Sequence, residues 1–166
     1  MSEQIVTIVT GASRGIGRAI SVRLADEGHT LALFGRNTKM LQETAALCKN
    51  KNVNVVIFSG NVADREFVID AVNQILERFG KIDNLINNAG EAVLKLFTET
   101  SLEEFKTQID ANLFGVFNFC KAVIDNMIER NAGNIINISS LAGKILLFTE
   151  LHILQQNMRL WVLQNH

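Results

Sequence analysis

The residues best suited to chemistry in this chain form a glycine-spaced run, Thr10-Gly11-Ala12-Ser13-Arg14-Gly15-Ile16-Gly17. A short apolar, β-branched stretch precedes it and helical apolar spacing follows, so it reads as a strand-to-helix turn. Gly11 permits the tight turn, Gly15 lets a pyrophosphate approach the backbone, and Gly17 lets the helix lie close to the strand. The N-terminus of that helix presents N–H groups to phosphate oxygens. Taken alone, such a loop can also be no more than a tight turn. Charge adds a second clue. The end of the second strand, where an acid would accept hydrogen bonds from ribose hydroxyls, is Gly35 followed by Arg36, and Arg14 lies in the glycine loop. Two guanidinium groups and no carboxylate suit a ribose 2′-phosphate, so NADP(H) is expected in preference to NAD(H). Either arginine could instead simply face solvent.

These residues need strands and helices to hold them, and the apolar pattern supplies both. Apolar runs predict strands at 5–10, 30–34, 53–58, 84–87 and 134–138. Helical spacing predicts helices at 15–27, about 38–49 and 64–79, the last ended by Gly80. Ser101 and Glu104 form a capping box for one further helix carrying Phe105, Ile109, Leu113, Val116, Phe117 and Phe119 toward Met127. Strict alternation with continuous apolar strands implies an α/β fold, a parallel sheet covered by helices on both faces. Such sheets bind ligands beyond the carboxyl ends of their strands, where the strand order reverses.

Composition narrows the chemistry. The chain has 166 residues, 48% of them hydrophobic, and a formal charge of −1 without a long basic run. One domain and a small-molecule ligand are expected; nucleic acid and an anionic membrane surface are not. Cys48 and Cys120 lack metal-ligand spacing and lie in apolar helical contexts, which suits buried free thiols in a reducing cytosol, and no metal site is expected. Neither a leader pattern nor a membrane-spanning stretch is read in the sequence, so the expected location is cytoplasmic.

The TGxxxGxG spacing of the glycine run resembles that of the short-chain dehydrogenase/reductase family, particularly its 3-oxoacyl-carrier-protein reductase branch. Asn87-Asn88-Ala89-Gly90 is similar to the family's NNAG element, and Asn61-Val62 to its adenine-contacting pair, with Asn where many members have Asp. Asn112, within Asp110-Ala111-Asn112-Leu113-Phe114-Gly115, resembles the asparagine that anchors a proton-relay water. Ser140, in Asn137-Ile138-Ser139-Ser140-Leu141-Ala142-Gly143, resembles the serine that polarises the carbonyl. The resemblance implies a Rossmann-like doubly wound sheet ordered 3-2-1-4-5, here truncated after the fifth strand. It also implies hydride transfer between a nicotinamide and a small carbonyl or alcohol substrate. The implied cofactor contacts are Gly11, Ser13, Arg14, Gly15, Ile16, Gly17, Arg36, Asn61, Val62, Asn88, Ala89 and Gly90. Homo-oligomers are implied for an intact parent protein only.

One departure from the pattern decides the activity. The family places its acid tyrosine thirteen residues after the serine and its lysine four later, but positions 153 and 157 are Ile153 and Asn157, and the chain contains no tyrosine. An alkyl group donates no proton and a neutral amide supplies no charge. Residues 1–143 therefore read as an incomplete nucleotide-binding domain and 144–166 as an aberrant tail. The chain also lacks proline, where about 5% usage would give roughly eight. Restoring one base lost from an adenine run near Lys144 would turn position 153 into a tyrosine-or-histidine codon and 157 into a lysine-or-glutamate codon, so a frameshift is expected. The chain as it stands is expected to be inactive. The alternative from another class is a non-catalytic dinucleotide-binding module or partner subunit.

Overall fold

The computed structural model describes residues 4–49, 51–93 and 96–140. Five strands, β1 (Val6–Val9), β2 (Thr30–Gly35), β3 (Val55–Ser59), β4 (Asn84–Asn87) and β5 (Asn134–Asn137), alternate with helices. The principal helices are α1 (Gly15–Asp26), α2 (Thr38–Lys49), α3 (Arg65–Phe79), α4 (Leu102–Ile109) and α5 (Gly115–Glu129). All strand pairs are parallel, in the order β3-β2-β1-β4-β5. The chain thus builds outward from β1 to β3, then crosses to the other side of β1. That reversal puts the carboxyl ends of β1 and β4 side by side at a switch point.

Side-chain alternation along the strands splits the core in two. Val6, Ile8, Ala32, Phe34 and Leu85 face α3 and α5, where they meet Val68, Val72, Ile75, Phe119 and Val123. Val9, Leu31, Leu33 and Ile86 face α1 and α2, where they meet Ala25, Leu41 and Ala45. Phe34 anchors the first layer: it stacks on Phe58 with ring centres 4.8 Å apart and meets Phe119 edge-on, also at 4.8 Å. The architecture is the expected Rossmann-like doubly wound sheet.

The helix ends follow their local signals. Asp64 caps α3 by accepting the Phe67 N–H, and Gly80, at φ 77°, closes it with its N–H donated to the Leu76 carbonyl. The Ser101–Glu104 capping box forms reciprocally on α4. The single helix expected from there to Met127 is interrupted, because Asp110–Phe114 forms a π-helical segment between α4 and α5. The extra residue in that turn accommodates two contacts. The Asn112 amide turns to the loop after β4, and Gly115 sits against Val62, where a Cβ would come 2.6 Å from Cγ2. Phe117, read as part of the apolar face, is exposed.

At the opposite end of the sheet Asp83 ties three elements together. One carboxylate oxygen accepts the Val6 N–H at 2.9 Å and pairs with Lys81 at 3.2 Å; the other pairs with Arg130 at the end of α5. The tail expected to be out of frame, 144–166, lies outside the described residues.

Candidate functional site

Thr10 ends β1 and joins it to the loop after β4. Its hydroxyl oxygen accepts the N–H groups of Asn88 and Ala89, each at 2.9 Å, while the Asn88 side-chain amide donates to the Thr10 carbonyl at 3.0 Å and the Gly11 carbonyl at 3.3 Å. This stitching explains Gly17: a Cβ there would lie 2.6 Å from Asn88 Nδ2 and closer still to the Gly11 carbonyl oxygen. Gly15 is the opposite case. Its φ is 56°, and no heavy atom lies within 4 Å of where a Cβ would be. Open space over a left-handed glycine at the start of α1 is what a phosphate approaching the backbone requires. Arg14 precedes the helix without a side-chain cap, and the first turn holds no acid to compete with an anion.

Arg18, one turn into α1, holds the loop from behind. Its guanidinium donates to the Ser13 carbonyl at 2.7 Å, to Thr44 Oγ1 at 2.9 Å and to the Met40 carbonyl at 3.3 Å, so the loop is fixed to α2. Ser13 Oγ lies 2.2 Å from where a Cβ at Gly35 would be, so a side chain there would require the Ser13 hydroxyl to turn away. The loop after β3 is held by α5, since Asn118 Nδ2 donates to the carbonyls of Val62 at 3.2 Å and Ala63 at 3.1 Å.

The result is a cleft of about 610 Å³ over the carboxyl ends of the strands. Its lining includes Gly11, Ser13, Arg14, Gly15 and Ile16 from the glycine loop, Arg36 after β2, Asn61 and Val62 after β3, and Asn88, Ala89 and Gly90 after β4. Of the expected cofactor contacts only Gly17 is outside the lining, buried beneath it. Ile16 is an exposed apolar side chain at the cleft, available to a flat ring. A dinucleotide fits this lining: backbone at the start of α1 for the pyrophosphate, arginine side chains for anionic oxygens and apolar edges for the bases.

Asn112 and Ser140 do not line the cleft. Asn112 grips the loop after β4 by both amide atoms, Oδ1 accepting the Glu91 N–H and Nδ2 donating to the Glu91 carbonyl, each at 2.8 Å. Ser140 lies exposed just beyond β5. Burial pushes the Cys48 thiol up to about 11, with the Asp26 charge adding to it. Burial also raises the Cys120 thiol, against the opposing Asn87 amide. Neither is a thiolate nucleophile at neutral pH. Among the described residues no group of three or more His, Cys, Asp or Glu gathers as a metal site, and no helix is long and apolar enough to cross a membrane.

Sequence reasoning overlooked Thr10, Arg18, Asn118 and Glu91. Thr10 is the detectable case, because it occupies the first position of the glycine motif itself. The others act through partners distant in sequence: Arg36 Nη1 meets Glu91 Oε2 at 2.9 Å across 55 positions.

Comparison with known proteins agrees with this geometry. The chain is 36% identical over 139 residues to a 3-oxoacyl-[acyl-carrier-protein] reductase of Staphylococcus aureus, covering 83% of this chain and 56% of that protein. It is 33% identical over 138 residues to an uncharacterized oxidoreductase of Staphylococcus epidermidis, covering 83% and 59%. The chain therefore spans somewhat over half the length of these relatives. Among solved structures, NAD+-bound xylitol dehydrogenase superposes with a TM-score of 0.89 at 32% identity, over 98% of this chain and 64% of that one. An alcohol dehydrogenase from the archaeon Thermococcus sibiricus, complexed with 5-hydroxy-NADP, gives the same TM-score and identity over 98% and 72%. The sequence model of the short chain dehydrogenases matches residues 5–150, and with the glycine loop, the switch-point cleft and the strand order in agreement, the chain belongs to the short-chain dehydrogenase family of oxidoreductases.

Proposed function

We propose that this chain carries the NADP(H)-binding part of a reductase that interconverts small carbonyl compounds and alcohols. The observation that carries the reading is that Arg14 and Arg36 both line the cleft and that Gly35 stands where an acid would. When bound, the nicotinamide supplies or accepts the hydride. The residues of this chain hold it: the loop from Gly11 to Gly17 and the start of α1 take the pyrophosphate, Asn61 and Val62 the adenine side, and Asn88, Ala89 and Gly90 the ribose of the nicotinamide half. In an intact parent enzyme Ser140 would polarise the substrate carbonyl, and Asn112 positions the loop bearing Glu91. Titration calorimetry with NADPH and NADH tests the cofactor. NADPH is expected to bind at least tenfold tighter, and replacing both Arg14 and Arg36 with alanine is expected to remove the difference. A preference that survives the double replacement excludes this reading.

With Ile153 and Asn157 where the family has its acid and its lysine, the chain binds cofactor without turnover. Residues 144–166 are read as the product of a shifted frame and 1–143 as the incomplete nucleotide domain. Sequencing the source DNA from the Ser140 codon through His166 and beyond tests this. One adenine near Lys144 more than the displayed frame uses, with NADPH oxidation regained once it is restored, is the expected outcome; an intact displayed frame refutes it. Free Cys48 and Cys120 suit a reducing cytoplasm, and assembly into oligomers is assigned to the full-length parent.

A further inference from the structure

We infer that Glu91 is an internal competitor for the ribose 2′-phosphate, occupying Arg36 until the phosphate displaces it, and so sets how strongly the cleft discriminates NADP(H) from NAD(H). This rests on the cofactor reading above and names a residue that tunes it.

Arg36 follows β2 and Glu91 follows β4, and these strands flank β1 on either side. A contact between them therefore crosses the carboxyl end of β1, where the glycine loop begins. Both residues line the cleft, and their side chains meet at 2.9 Å. A carboxylate, absent at Gly35, thus enters the same cleft from another strand. Its placement is not accidental to a loose loop, because Asn112 holds both the N–H and the carbonyl of Glu91 at 2.8 Å. The arginine is the free-moving partner: its side chain is 68% exposed, against 31% for the glutamate.

A 2′-phosphate is a doubly charged, three-oxygen acceptor, and it takes the guanidinium from a carboxylate. Exchange requires breaking the ion pair, and it leaves Glu91 as an unpaired carboxylate in the same cleft as the incoming anion. An unphosphorylated ribose asks neither, so the pair stays closed over NAD(H). A solvent-exposed pair of this kind is weak, which makes the exchange a modest tax on NADP(H) affinity and not a barrier.

The test is calorimetric titration of the full chain with NADP+ and NAD+ for the wild type, Glu91→Gln, Arg36→Ala and the double variant. Glu91→Gln is expected to tighten NADP+ by about 2- to 5-fold and to leave NAD+ within about twofold. Its gain shrinks in the Arg36→Ala background, where only the charge repulsion remains. Glu91→Ala serves the same arm should the amide find a new partner. If Arg36→Ala removes the NADP+ preference while Glu91→Gln leaves NADP+ unchanged, weakens it or moves both nucleotides in step, the competitor role is overturned and the cofactor reading stands. If Arg36→Ala leaves the preference unaltered, the competitor role is overturned, and replacing Arg14 and Arg36 together decides the cofactor reading.

Discussion

A methyl group at position 17 has nowhere to go, since it would meet the Gly11 carbonyl and the Asn88 amide at once. Gly17→Ala is expected to cost about 1–3 kcal/mol through overpacking and to abolish NADPH binding, read as a lower urea midpoint and a flat titration. Thr10→Val keeps the shape but leaves the Asn88 and Ala89 N–H groups without their acceptor. The expected cost is about 1–3 kcal/mol, with a weakened but measurable affinity. At this scale the glycine loop was legible in the sequence because its function is local: spacing within eight residues states which backbone must turn and which must be approached. The clasp between Thr10 and Asn88 spans 78 positions, and no local spacing encodes it. For the same reason nothing local in the sequence singles out Glu91.

Among the elements, the strands were legible as apolar runs and the helix ends as capping signals, down to the Ser101–Glu104 box. The π-helical segment was not, because the apolar series Phe105, Ile109, Leu113 and Val116 keeps helical spacing straight through it. Its cause is tertiary, the grip of Asn112 on Glu91. Asn112→Leu is expected to release that loop, seen as faster amide exchange at Glu91 and Val93, while α5 keeps its protection. Asp83 predicts a pH dependence. Burial raises its pKa, but the Val6 N–H, Arg130 and Lys81 together outweigh that and hold the carboxyl below its usual value. A folded-state pKa below the unfolded one gives stability that is complete above the unfolded value of about 3.9 and is lost as pH falls through the lower folded value. Urea midpoints measured from pH 6 downward should fall in that window for the wild type. Asp83→Asn should be less stable at neutral pH and show a flatter decline.

Over the whole molecule, burial is deepest in β1 and β2 and shallow at β5. Among the described residues β5 is an edge strand, with Ile136 and Ile138 exposed, and Phe117 and Ile128 of α5 are uncovered as well. Such a surface favours association between copies, so light scattering should rise with concentration and temperature. Bound cofactor opposes unfolding by mass action, about 2.7 kcal/mol at a hundredfold excess over Kd, and a thermal shift with NADPH would register it. The Thr10 hydroxyl has a consequence at this scale too. Because it joins the two halves of the sheet beneath the cleft, it belongs to the floor, whereas Arg36 and Glu91 stand on the rim and bear no part of the core. Nucleotide preference can therefore drift by exchange of rim side chains while the scaffold stays as it is, so that selectivity and foldability are inherited separately.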